Sequence, residues 1–123
     1  MDVLVHLVTP DEWAAYQAAG AIAPPSLVEV GFVHLSSPAQ VMLPADRIHP
    51  GRTDLSLLVL DPKLIDAEIR WEPGVPSDPA SMRFPHAYGP IPLTAVRSVV
   101  PYLPGTDGRF GSPRSPPTGT LAR

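Results

Sequence analysis

The sequence predicts an α+β fold: a compact, mostly antiparallel split β-sheet with short helices. Three observations carry that expectation. Apolar runs of strand length alternate with cap-and-proline signals for short helices. The 18 prolines among 123 residues exclude long helices. With 44% hydrophobic and 17% charged residues the composition is that of a globular chain with one modest core.

Taken in order, Val3 to Val8 is a β-branched run that stops at Thr9-Pro10-Asp11-Glu12. Thr9 suits a helix N-cap, Pro10 its first position, and Glu12 completes a capping box. The helix carries Trp13 and Tyr16 on one side and ends at Gly20, ahead of the Pro24-Pro25 block. Gly31 to Ser36 reads as a second strand, and Ser37-Pro38 repeats the cap-then-proline signal for a helix that Pro44 must interrupt or shift. Leu55 to Leu60 is a buried central strand, and Glu68 to Glu72 alternates like a half-exposed one. The segment from Phe84 to Pro92 is too rich in proline for a central strand, whereas Val96 to Leu103 makes a last strand.

The domain is expected to span residues 1–103. Residues 104–123 read as a flexible tail, since 101–123 hold five prolines and four glycines with little apolar periodicity. Charge divides in the same place: residues 1–100 carry −5, whereas 101–123 carry +2. The net charge of −3 and pI of about 5.7 argue against general nucleic-acid binding. Absence of cysteine removes disulfides, thiolate metal sites and cysteine nucleophiles. The first residues lack a basic n-region and are too short an apolar run for a signal peptide or a membrane span, so the expected location is the cytoplasm, with no membrane partner.

Period-two alternation sends Leu4, His6 and Val8 to one face of the first strand. It places Phe32, His34 and Ser36 together on the second, and Glu68, Arg70 and Glu72 opposite Ile69 and Trp71. His86 sits in a Pro-Gly-punctuated segment with Tyr88. Each of these has a plain structural reading: a strand histidine bonded to backbone, a solvated strand-end glutamate, an ordinary loop residue at His49. Trp13 and Trp71 read as core. The stretch holding Arg47, Arg52, Thr53 and Asp54 is either an anion grip or an exposed turn.

Several spaced phrases in one order resemble a small bacterial family, the domain of unknown function nine-fifty-two. They are His6-Leu7-Val8-Thr9 with Glu12-Trp13, Pro25-Ser26-Leu27 with Gly31 to Ser36, Gly51 to Leu55, Arg70-Trp71-Glu72-Pro73 and Phe84 to Ile91. The resemblance covers about residues 2–101. That family is in turn distantly similar to the ADP-ribosyltransferase fold, which implies NAD, as substrate, in a cleft between two small sheets. It implies His6, Thr9, Ser36, Arg52 and Tyr88 as cofactor contacts and His34, Glu72 and His86 as the catalytic group. Glu72 is then the carboxylate beside the nicotinamide ribose, where an oxocarbenium-like transition state needs a negative partner. His34 or His86 would position the acceptor or take its proton.

Two other classes compete with nicotinamide-ribose transfer or hydrolysis. One is a non-catalytic module for a small ligand, a nucleotide or a protein partner. The other is a histidine-based metal-dependent hydrolase, for which H-x-H and H-E-x-x-H spacings are absent. Phosphate cradles and nucleophile elbows are absent too, which sets aside dinucleotide oxidoreductases and α/β-hydrolases.

Overall fold

The computed structural model describes residues 3–74, 78–79 and 82–113. β1 (Leu4–Val8), β4 (Leu55–Leu60) and β8 (Val96–Tyr102) form an antiparallel sheet in the order β1-β4-β8. A second antiparallel sheet has the order β3-β6-β5, from β3 (Val33–His34), β5 (Ile69–Pro73) and β6 (Arg83–Ala87). A two-residue pair, β2 (Ala21–Ile22) with β7 (Ile91–Pro92), sits apart. The sheets meet at one seam, where Val5 and Ser36 exchange both backbone bonds at 2.8 and 2.9 Å. An α+β fold of antiparallel sheets with few short helices is therefore what the chain adopts.

The local signals explain the first unit. α1 (Pro10–Ala19) starts at Thr9, whose side chain accepts from the Glu12 N–H while the Glu12 carboxylate accepts from the Thr9 N–H. It ends at Gly20, held at φ 80°, where a side chain would be strained. A short α2 (Ser26–Glu29) follows the proline pair. α3 (Met42–Ile48) begins four residues after Pro38, and Pro44 falls in its first turn, where a missing N–H costs no helix bond.

β4 is central, as its uninterrupted apolar run requires, and both its faces are covered. Leu58 and Leu60 join Leu4, Val8, Tyr16, Val33, Leu35 and Ala87 in one core between the sheets. Leu57 and Val59 join Val5, Val41, Ala45, Tyr102 and Phe110 in a second core beneath α3. Three expectations change here. The proline-rich segment holds β6, the middle strand of its sheet, because Pro85 spares the five-residue ladder with β5 and forgoes only the return bond to Leu35 O on the β3 side. Its carbonyl accepts from Leu35 N–H at 3.0 Å, so its missing N–H faces the same side, beyond the end of the two-residue β3. Phe110, assigned to the tail, is 5% exposed and packs on Tyr102 with ring centroids 4.9 Å apart. Its N–H donates to Asp46 of α3 at 2.9 Å, and the Tyr102 hydroxyl donates to Gly111 O at 2.6 Å. Of the tail expected over 104–123, residues 114–123 lie outside the described residues. Trp71, read as core, is exposed on the edge strand β5.

Candidate functional site

The register of the second sheet brings together side chains that are far apart in the chain. His34 stands opposite His86, and His86 opposite Arg70, while Glu72 faces Phe84. With period two, His34, Phe84, His86, Arg70 and Glu72 share one face, leaving Val33, Ala87 and Ile69 to the core. The alternation read from the sequence is thus the alternation of the structure.

At the centre of this face His86 is 1% exposed. Its Nδ1–H donates to Glu72 Oε1 at 2.9 Å, and the Tyr88 hydroxyl donates to the same oxygen at 2.6 Å. These two donors, the hydroxyl first, hold the Glu72 carboxyl below its ordinary range, so it is an anion at neutral pH. In return the carboxylate pushes the Tyr88 hydroxyl up. Phe32 stacks on the His86 ring at 4.0 Å and 10°, and the His34 ring meets it edge-on at 5.2 Å. The Arg70 guanidinium lies 4.5 Å over the Tyr88 ring and pairs with Glu68. Ring orientation is therefore fixed from three sides. The remaining nitrogen, His86 Nε2, is buried and has no hydrogen-bond partner.

His6 presents the opposite arrangement. Carbonyl oxygens only accept, so its Nδ1 carries the proton given to His34 O at 2.8 Å across the seam. Its Nε2 then accepts from the Tyr16 hydroxyl at 3.3 Å. Burial lowers the affinity of His6 for a second proton, outweighing the opposing pull of the His34 carbonyl. Burial also raises Tyr16 to about 12. His34 is lowered as well, by burial first and by the neighbouring His86 second.

A cavity of about 480 Å³ opens beside these groups, within the range of about 300–1,000 Å³ usual for small-molecule sites. All four histidines of the chain line it: His6, His34, His49 and His86. Tyr16 and Glu12 of α1, Ser36 at the seam and Arg47 of α3 line it too, among prolines, leucines, Ile48 and Phe84. Of the residues expected in a site, His6, His34, Ser36 and His86 meet at this wall. Glu72 and Tyr88 stand behind His86 and do not line it. Thr9 spends its side chain on the α1 cap, and Arg52 is paired with Asp54 on an exposed turn, so neither reaches the cavity. The sequence reading missed Tyr16 and His49 as lining residues: Tyr16 carried the signal of a helix face, His49 none. Among the described residues no cluster of three or more His, Asp or Glu side chains is placed to hold a metal ion. None of their helices is long and apolar enough to cross a membrane.

Comparison with known proteins gives a family and a fold. A family described as "Protein of unknown function (DUF952)" matches residues 7–99. The crystal structure of protein CC0527 from Caulobacter crescentus is similar at a TM-score of 0.72 and 24% identity, covering 88% of this chain and 92% of that one. A crystal structure of its double mutant gives the same figures. The solution structure of CC0527 gives a TM-score of 0.65 at 24% identity, over 99% of this chain and 97% of that one. At that identity the likeness establishes the fold alone. No curated protein matches the chain.

Proposed function

The chain belongs to the DUF952 family, and we propose that its cavity binds NAD or another ADP-ribosyl compound and that the protein acts at the nicotinamide ribose, by transfer or hydrolysis. One observation carries the reading: His86, oriented by Glu72, lines a cavity that every histidine lines and keeps a single buried nitrogen without a partner. A carboxylate that fixes the Nδ1–H tautomer leaves Nε2 as a lone pair, the arrangement of a general base. The exposed His34 ring, edge-on to His86, turns aside to admit the ligand and then positions the acceptor. The bond between ribose C1′ and the nicotinamide nitrogen breaks with its electron pair leaving on nicotinamide. The oxygen of water or of an acceptor hydroxyl bonds to C1′, and its proton passes to His86 Nε2. Glu72 acts through His86, as a positioning residue, rather than by touching the ribose. His6 frames the wall with both nitrogens already engaged.

The same engagement of His6 favours a second reading, a non-catalytic ligand-binding module. One experiment separates the two. NMR of the four histidine rings is followed during titration with NAD, with ADP-ribose and nicotinamide as controls, while free nicotinamide is measured in the same tube. Shifts at His34 and His86 together with nicotinamide release support the enzyme. Shifts without release, at substrate excess and long incubation, select the module. Silence of all four rings toward all three compounds removes the nicotinamide-ribose reading and leaves a module for a different ligand or partner.

A further inference from the structure

The α3 wall of the cavity carries a chemistry that the sheet wall lacks. α3 contributes Pro44, Arg47 and Ile48, and His49 stands at its C-terminal end. Among the described lining residues Arg47 is the one permanent cation. Glu12, the one carboxylate there, already accepts from the Thr9 N–H at 2.8 Å. Arg47 meets an anion of the protein itself: its Nη2 donates to Asp78 Oδ1 at 3.4 Å, a long, single contact from a side chain 45% exposed. A guanidinium offers a planar fork suited to two oxygens at once. A long contact to one oxygen at the surface leaves most of that capacity unused and contributes little. Gly74 also lines the cavity here, and a Cβ at that position would come 3.1 Å from Asp78 Oδ2 and 3.0 Å from the Phe84 ring. A side chain at 74 would therefore crowd the carboxylate that faces Arg47.

We propose that Arg47 and His49 form an anion subsite of the cavity that takes the phosphate or pyrophosphate of a nucleotide-type ligand, with the Asp78 carboxylate holding Arg47 until that group displaces it. The proposal rests on the reading of the cavity as a nucleotide site and deepens it. It divides the ligand between two walls, the charged end on α3 and the reacting end on the sheet at His34 and His86. A phosphate has oxygens enough for both the Arg47 fork and a His49 ring N–H on the same cavity wall, whereas Asp78 reaches Arg47 through one oxygen.

The test is calorimetric titration of the whole chain with inorganic pyrophosphate, ADP-ribose and uncharged adenosine. The variants are Arg47→Ala, Arg47→Lys and Asp78→Asn, with thermal melts to show that each is folded. The expected result is that Arg47→Ala weakens pyrophosphate and ADP-ribose about tenfold or more while adenosine is unaffected. Arg47→Lys, which keeps the charge and loses the fork, falls between. Asp78→Asn tightens both phosphorylated probes by removing the internal competitor. Pyrophosphate binding equal in wild type and Arg47→Ala overturns the proposal, as does weaker binding in Asp78→Asn or no pyrophosphate binding by the wild type. Nicotinamide release from NAD is measured separately, so the two ideas fail independently. Release with no role for Arg47 in pyrophosphate binding removes the subsite alone. Arg47-dependent pyrophosphate binding without release removes the nicotinamide-ribose reading and leaves the subsite.

Discussion

Replacing Phe110 by alanine tests whether the segment after β8 belongs to the folded domain. The ring is 5% exposed, packs against Tyr102 at 4.9 Å and shares a core with Val41, Ala45 and Leu57. Truncating a buried phenylalanine costs about 3–5 kcal/mol, and a ring at the margin of its core belongs at about 3. An unfolding entropy of about 2.1 cal/mol/K per residue gives a chain of this size about 4 °C of Tm per kcal/mol, so the expected drop is about 12 °C. Ending the chain after Leu103 removes the same ring together with the bonds from Phe110 N–H to Asp46 and from the Tyr102 hydroxyl to Gly111, and is expected to cost at least as much. Arg109→Ala, at an exposed neighbouring position, is the control and leaves Tm within about 2 °C. The assay is a thermal melt followed by far-ultraviolet circular dichroism. A drop below about 3 °C for both Phe110→Ala and the truncation refutes the reasoning and returns the whole segment to the status of a dispensable tail.

Further predictions follow from the site. On the proposed reading, Glu72→Gln keeps the fold and reduces nicotinamide release by about 10²-fold or more, because the tautomer and orientation of His86 are no longer fixed by a carboxylate; full activity in a folded Glu72→Gln protein refutes the positioning role. His6 and His34 both bind protons less readily in the folded state than their ordinary pKa of 6.5. The unfolded chain therefore holds more protons than the native one just below pH 6.5, and stability present at pH 7.5 declines as pH falls through that region. Urea midpoints at pH 7.5 and 5.5 measure this, and a midpoint that rises on acidification contradicts it. All three tyrosines are raised, Tyr16 and Tyr102 to about 12 by burial and Tyr88 by the Glu72 carboxylate. Tyrosinate absorbance in the native protein is thus expected only above pH 10, shifting back to about 10 in denaturant. A native titration centred at 10 would show that these hydroxyls are in water.

Patterns of period two and of helix caps were legible because they are decided locally. Thr9, Glu12 and Gly20 set the limits of α1 with bonds inside a few residues. The alternation of Phe32 with His34 and of Arg70 with Glu72 follows from the pleat alone. Register is different, since nothing in the local sequence says that His34 stands opposite His86 or that Glu72 reaches it from β5. Pro85 misled for a related reason: the cost of a proline in a middle strand depends on which neighbour its missing N–H faces, and here it faces Leu35 at the end of the short β3 and spares the ladder with β5. Phe110 was hidden by its neighbours, one apolar side chain among prolines and glycines having no periodicity to show. Thr9 and Arg52 were drawn into the expected site by type, and each finds a nearer partner than a ligand, Glu12 N–H for one and Asp54 for the other.

Two of the strand histidines divide the work of the cavity according to how many of their nitrogens the protein itself uses. His6 lies at the seam, where β1 meets the chain after β3, and a ring bonded there at both nitrogens ties the two sheets together through His34 O. Such a ring has nothing left for a proton acceptor's role, and burial disfavours its charged form. His86 lies on the middle strand of its sheet, flanked by β3 and β5, so its support comes from the side: Glu72 on one nitrogen and Phe32 across the ring face. A buried nitrogen left without a partner costs stability, of the order of 1–3 kcal/mol. A fold that needed His86 only for packing would recover that cost with a phenylalanine or leucine on the same face. Retaining an oriented ring with one open nitrogen, next to a carboxylate that fixes its tautomer, gains nothing for the core. That cost is the physical reason to look for the ligand at His86 rather than at His6.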